Sequence, residues 1–253
     1  MAQTANKVHQ SVSMVSFVIP AWNEEALLGS TLKAIFTAAQ PLNIPFEVVV
    51  ADDSSTDRTP EIARELGARV ISINRRQIAA TRNAGARAAE GDLLVFVDAE
   101  TVVTPEVVRA AVEAVRVGAA GGGCAVNFDG RVPTYARRLL PVVTRLYRAA
   151  GLAAGCFLFC TRRAFDAVGG FDEKLYASEE CWMSWALRRQ GRFVLLREQV
   201  ITSGRKLRTY SGGEILKIFF WLTVRGRFST RHQRGMEIWY GPRRPDPDAD
   251  GSG

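Results

Sequence analysis

The chain has 253 residues, 47% of them hydrophobic and 23% charged, with 33 Lys and Arg against 26 Asp and Glu. Such values belong to a globular chain with a sizeable core and exclude a disordered or fibrous one. The net charge of +7 suits an anionic partner (a nucleotide phosphate, a nucleic acid or a membrane surface) without choosing among them.

Met1 to Ser13 is polar and has no apolar signal-peptide core. The longest uncharged apolar run, Gly151 to Cys160, is far short of a membrane span. These features predict a cytoplasmic protein, soluble or peripheral on the inner face of the membrane. Val15 to Ile19 is a Val- and Ile-rich run that reads as a buried strand ended by Pro20. Glu24 to Ala39 carries Leu27, Leu28, Leu32, Ile35 and Phe36 at helical spacing. Phe46 to Val50 is a second strand, and Asp52 to Asp57 a polar turn. Thr59-Pro60-Glu61 predicts a helix start, with Thr as cap, Pro in the first turn and an acid near the positive helix end. Val70 to Ile73 is a strand, Gln77 to Ala89 a helix, and Leu93 to Val97 a strand ending on Asp98. Thr104-Pro105-Glu106 repeats the helix-start chemistry.

Beyond Gly118 the pattern loosens. Ala120 to Phe128, Cys156 to Cys160 and Phe193 to Ile201 read as strands, Ser178 to Gln190 as a helix, and Tyr135 to Ala149 as a basic amphipathic helix. Gly213 to Val224 is strongly apolar, and Pro242 to Gly253 is Pro-, Asp- and Gly-rich, a composition that predicts disorder. The boundaries read as a tail at 1–13, one domain at 14–210, an apolar and basic helical extension at 211–241 and a tail at 242–253. Strands alternating with helices predict βαβ crossovers and an α/β fold with a mostly parallel sheet. Ligands bind at the C-terminal strand ends of such sheets, where Pro20–Glu25, Asp52–Asp57 and Asp98–Glu100 all fall. The cysteines Cys124, Cys156, Cys160 and Cys181 have no CxxC spacing, and the only histidines are His9 and His232. They read as reduced, buried thiols and not as a zinc site.

Four clusters carry candidate chemistry. Asp52-Asp53 is delivered by a strand into the turn Ser54 to Asp57. A carboxylate there can accept from a nucleobase N–H or ribose hydroxyls, while Ser55 and Asp57 also fit an Asx-type turn with a helix cap. Asp98 and Glu100, spaced i, i+2 after a strand, offer hard oxygens to Mg²⁺ or Mn²⁺; the alternative is a solvated loop. Arg82-Asn83 at a helix start can reach a phosphate and a sugar or neighbouring carboxylate, or simply be surface polarity. Gly169-Gly170-Phe171-Asp172 permits a sharp loop with an exposed aromatic. Glu179-Glu180 beyond it offers a general base, or else helix-dipole stabilisation.

In this order the clusters, with Val18 to Glu25, Ala84-Gly85 and Gly91-Asp92, resemble the family 2 glycosyltransferases of the GT-A fold over about Ser16 to Val200. The resemblance implies that Asp53 bonds the nucleobase, usually uracil, with Asp52 near the ribose. It implies that Pro20, Ala21 and Glu24 line the nucleotide pocket, that Arg82 helps hold the diphosphate, and that Asp98 and Glu100 stand at the metal site. Phe171 and Asp172 fall in the acceptor loop, and Glu180, with Glu179 adjacent, matches the catalytic base. Two positions depart from the family pattern: Glu100 and Glu180 both stand where Asp is usual.

From Ala186 onward 14 Lys and Arg face 6 acids, so this third alone is more cationic than the whole chain. The basic turn Thr202 to Arg208 suits diphosphate clamping, and the apolar block Ile215 to Leu222 suits an interfacial helix on an anionic membrane or a helix packed on the sheet. The expectation is an inverting, Mn²⁺- or Mg²⁺-dependent glycosyltransferase that moves a sugar from a nucleotide-diphosphate sugar, a UDP-sugar, to a hydroxyl on a glycan or lipid-linked acceptor. A nucleotidyltransferase fits less well, because no Gly-rich basic loop follows the first strand. A non-catalytic nucleotide-sugar-binding module is the other alternative, and no nucleic-acid recognition element is present to support nucleic acid as partner.

Overall fold

A computed structural model of the chain describes residues 10–215, 217, 231, 236–242, 244 and 246. All seven residues of β1 (Val15–Ala21) and all five of β4 (Leu93–Val97) are buried. Strands covered on both faces carry continuous apolar runs of this kind. With β2 (Phe46–Asp52) and β3 (Arg69–Ser72) they form the parallel half of one eight-stranded sheet. The sheet continues through β5 (Thr101–Val102), β6 (Ala119–Phe128), β7 (Phe157–Thr161) and β8 (Arg192–Thr202), in the order β3-β2-β1-β4-β7-β6-β8-β5. This second half is mixed, while parallel pairings remain the majority in the sheet as a whole. β7 runs antiparallel to β4 and to β6, β5 runs antiparallel to β8, and only β6 and β8 pair in parallel.

Helices cover both faces, and their apolar periodicity says which side each buries. α1 (Leu28–Ala39) and α4 (Pro105–Arg116) pack Leu28, Leu32, Ile35, Val108, Ala111 and Val115 against Val15, Phe17, Ile19 and Val95. On the opposite face α3 (Ile78–Ala88), α6 (Arg162–Val168) and α7 (Glu179–Arg188) bring Ala79, Ala86, Phe165 and Met183 against Val18, Val49, Leu94 and Phe96. Alternate residues of β1 and β4 thus serve opposite layers, as the strand period of two requires. Each fully buried Phe, Leu or Ile contributes about 1.5–3 kcal/mol. Gly85 brings α3 directly onto β1: a Cβ there would lie 2.4 Å from Val18 Cγ1.

The helix-start readings hold with one exchange of roles. Thr104 caps α4 by accepting from the Val107 N–H at 3.4 Å. At α2 (Thr59–Glu65), however, the capping oxygen is Asp57 Oδ1, which accepts from the Thr59 N–H at 3.0 Å. Gly91-Asp92 also has a structural role. Asp92 accepts from the Ser13 N–H (2.9 Å) and the Met14 N–H (3.1 Å), and the Gly91 N–H donates to Ser16 Oγ (2.7 Å), which fixes the entry into β1.

α5 (Thr134–Ala150) is a 17-residue helix with only Ala136 buried. After β8 comes the short α8 (Arg205–Thr209), and α9 (Glu237–Tyr240) returns to the sheet edge. Most of the apolar block 215–222 lies outside the described residues, as does most of the tail 242–253. Two tail residues are held: Asp246 pairs with Arg208 at 2.6 Å, and Arg244 sits 3.8 Å above the Tyr210 ring. Among the described residues no helix is long and apolar enough to cross a membrane.

Candidate active site

β1, β2 and β4 end at one edge of the sheet, so the loops that follow them share a rim. The Asn23–Glu25 and Asp53–Thr59 loops are laced together. The Asn23 N–H donates to Ser55 Oγ (2.9 Å), Asn23 Oδ1 accepts from the Thr56 N–H (2.8 Å), and the Glu24 N–H donates to Thr59 Oγ1 (2.8 Å). Asn23 takes a left-handed φ of 50° to make this turn. The polar run Ser55–Asp57 is thus spent on shaping the rim, the turn reading of the sequence.

A pocket opens there, walled by Pro20, Ala21, Trp22, Glu24, Asp53 and Arg76 and, from the far C-terminus, Trp239 and Tyr240. The Arg76 guanidinium lies 3.3 Å over the Trp22 ring. Asp53 organises the loop before α3. Its Oδ1 accepts from the N–H groups of Arg75 (2.8 Å) and Arg76 (2.9 Å), and its Oδ2 from the Gln77 N–H (3.0 Å) and Thr81 Oγ1 (2.9 Å). Four donors fill a carboxylate's acceptor sites. Asp53 thus stands in the pocket wall and anchors the loop before α3. Asp52 is buried beneath, outside the pocket wall, with Oδ1 lacking a hydrogen-bond partner.

A second cleft, of about 720 Å³, lies alongside; that volume is within the range of small-molecule sites. Ile78, Asp98, Glu100, Lys206 and Trp239 wall both cavities, so the two meet at the end of β4. The cleft's polar end holds Arg82, Glu179 and Glu180, and its remainder is mostly apolar, with Leu140, Val143 and Leu152 among its walls.

Arg82 is the centre of the polar end. It is 2% exposed, and it donates to Glu179 Oε1 (2.5 Å), Asp98 Oδ1 (2.8 Å) and the Gly155 carbonyl (2.9 Å). Burial alone would lower its pKa, but Asp98, Glu179 and Glu180 outweigh that and hold it well above the ordinary value. The surface reading of Arg82 is therefore overturned: it orients two acids, and it lines the second cleft instead of the first. Glu179 is buried and committed to Arg82. Glu180 is half-buried, and its carboxylate meets only the Cys181 thiol, at 3.9 Å, among the described residues. Burial first, then repulsion from Glu179, push the Glu180 carboxyl up to about 8.

Asp98 and Glu100 differ sharply. Asp98 gives Oδ1 to Arg82 and its side chain has no other hydrogen-bond partner among the described residues, so Oδ2 remains for a ligand on the shared wall. A hard carboxylate oxygen in that place fits Mg²⁺ or Mn²⁺. Glu100 has both oxygens engaged, by Lys206 Nζ at 2.7 Å and Arg205 at 3.0 Å. A metal bound there would share these oxygens with Lys206 and Arg205. Arg205 also pairs with the buried Glu24 at 3.0 Å. No group of three or more metal-type side chains occurs among the described residues.

The expectation of an exposed aromatic in this loop is corrected. Phe171 is 3% exposed, and its ring packs edge-on to Phe96 at 5.0 Å. Asp172 Oδ1 accepts from the Lys174 N–H, and neither residue walls either of these two cavities. Asn83 fixes this loop by accepting from the Phe171 N–H (2.8 Å) and donating to its carbonyl (2.9 Å). Sequence reasoning missed Trp239 and Tyr240; the one signal was an aromatic pair inside a basic, polar segment.

A family profile described as glycosyl transferase family 2 matches residues 16–168. The chain belongs to that family. Among curated relatives, validoxylamine A glucosyltransferase of Streptomyces hygroscopicus subsp. limoneus is 37% identical over 134 residues, covering 48% of this chain and 29% of that protein. The undecaprenyl-phosphate 4-deoxy-4-formamido-L-arabinose transferase of Pseudomonas aeruginosa is 32% identical over 166 residues, 60% of this chain and 48% of the relative. The chain thus spans less than half the length of these family 2 relatives. The mannosyltransferase PcManGT of Pyrobaculum calidifontis, solved with GDP-Man and Mn²⁺, shares the fold with a TM-score of 0.66 at 18% identity, over 95% of this chain and 69% of that one. The architecture is the GT-A fold, a mixed α/β sheet with flanking helices.

Proposed function

We propose that this family 2 domain is an inverting, divalent-metal-dependent glycosyltransferase that moves a sugar from a UDP-sugar to a hydroxyl on a lipid-linked acceptor. The meeting of the two cavities at Asp98 carries the reading. A nucleotide diphosphate in the first pocket would put its sugar at the polar end of the second, beside Glu180. The apolar walls of the second cleft favour an amphiphilic acceptor over a free glycan, and the relative named for undecaprenyl-phosphate supports that class.

In this reading Glu180 takes the proton as the hydroxyl attacks, since a carboxyl with a raised pKa is a stronger base once ionised. Arg82 holds Glu179 and Asp98 in place, and Lys206, on the wall common to both cavities, is a cation for the departing diphosphate. A divalent cation, when bound, supplies Lewis-acid stabilisation of that leaving group. Asp98 would hold it, with Glu100 on the same wall.

Calorimetric titration tests this. UDP should bind more than about tenfold tighter with Mn²⁺ than in EDTA, should bind better than GDP, and should lose the metal dependence in Asp98→Asn. Failure of every nucleoside diphosphate to bind overturns the donor site. Equal affinity with and without metal overturns the role given to Asp98.

A further inference from the structure

α5 leaves most of its surface outside the fold. Among the described residues five large hydrophobic side chains are exposed, and three of them, Leu139 (52%), Val142 (50%) and Leu146 (63%), belong to this helix. At about 100° per residue they fall within an arc of roughly 60°. The adjoining arc carries Leu140, Val143 and Tyr147, which wall the second cleft. The apolar surface therefore runs unbroken from the outside of α5 into the cleft that ends at Glu180.

The charge on α5 is as one-sided as its apolar surface. Residues 134–150 include Arg137, Arg138, Arg145 and Arg148 and no Asp or Glu. All four arginines are exposed, and none has an ion-pair partner among the described residues. At the same spacing Arg138 and Arg145 lie together along one border of the Leu139–Val142–Leu146 stripe, opposite the arc that walls the cleft, where a lipid phosphate would stand if the stripe entered the acyl layer.

We propose that α5 seats the domain on an anionic lipid bilayer, with the mouth of the cleft at the membrane surface. Unpaired arginines beside an aliphatic stripe match an anionic interface on both counts, charge and apolarity. The continuity with the cleft adds that an amphiphile held in the same membrane reaches Glu180 along an apolar path. That last point alone rests on the acceptor reading above; the stripe and the arginines do not.

The test is co-sedimentation of the full chain, without donor or acceptor, on vesicles of phosphatidylcholine alone or with one part in four phosphatidylglycerol. Binding should require phosphatidylglycerol and fall as salt rises. Arg138→Gln/Arg145→Gln and Leu139→Ser/Val142→Ser, at exposed positions outside both cavities, should each weaken it at least about tenfold while keeping wild-type melting temperature and UDP affinity. Wild type that stays in solution with the anionic vesicles overturns the proposal. So do variants that sediment like wild type, which would move any membrane contact elsewhere on the chain. A wild-type dimer that Leu139→Ser/Val142→Ser dissociates, measured by light scattering, would make the stripe a contact between copies and overturn it as well. Loss of UDP binding with retained sedimentation would strike the donor reading and leave α5 standing.

Discussion

Adjacent acids on α7 do different work because one is paired and the other is not. Glu179 is locked to Arg82, whereas Glu180 faces the cleft with a carboxyl raised by burial and by Glu179. A base must be ionised to act, so kcat/KM should rise about tenfold per pH unit below about 8 and level off above it. Glu180→Gln should cut turnover at least about a hundredfold, abolish that limb and leave UDP affinity unchanged; a pH–rate series on both proteins checks this. The stability linkage runs the other way. Glu180 is protonated in the fold at a pH where the unfolded chain has released the proton, at about 4.3 and above. Stability therefore falls as pH rises from there through about 8, and denaturant titrations of Glu180→Gln should lack that slope. Sequence order made Glu179-Glu180 visible as a candidate but could not separate them, since the difference is an ion pair to a residue 97 positions away.

At the scale of elements, the loop between β3 and α3 depends on Asp53. Asp53→Ala would strand the buried Gln77 N–H, at a cost of about 1–3 kcal/mol. It should lower the melting temperature and weaken UDP together, because the pocket wall at Arg76 and Gln77 loses its anchor. Weaker UDP binding at unchanged stability would instead indicate direct contact with the base. The helices α1, α3 and α4 were legible because local periodicity and caps agree with their burial. The Asp53 ring was not, because backbone N–H groups have no sequence signature. Phe171 was misread for a related reason: Gly169 and Gly170 announce a turn but not whether the next aromatic faces solvent or Phe96.

For the whole molecule, the α/β alternation disclosed the parallel half of the sheet and the rim at its strand ends. The mixed half stayed hidden because β7 enters between β4 and β6 by long-range pairing alone. That insertion also brings Gly155 and the Arg82 cluster beside α7, and so puts the apolar cleft next to the first pocket. Under the proposed function, the shared wall at Asp98 would set one geometry for transfer: donor from one cavity, acceptor from the other, on opposite faces of the sugar carbon. The most direct measurement is the anomeric configuration of the first product, read by proton NMR coupling before mutarotation, with an α-linked UDP-sugar as donor. The account predicts a β-linked product; an α-linked one would contradict it.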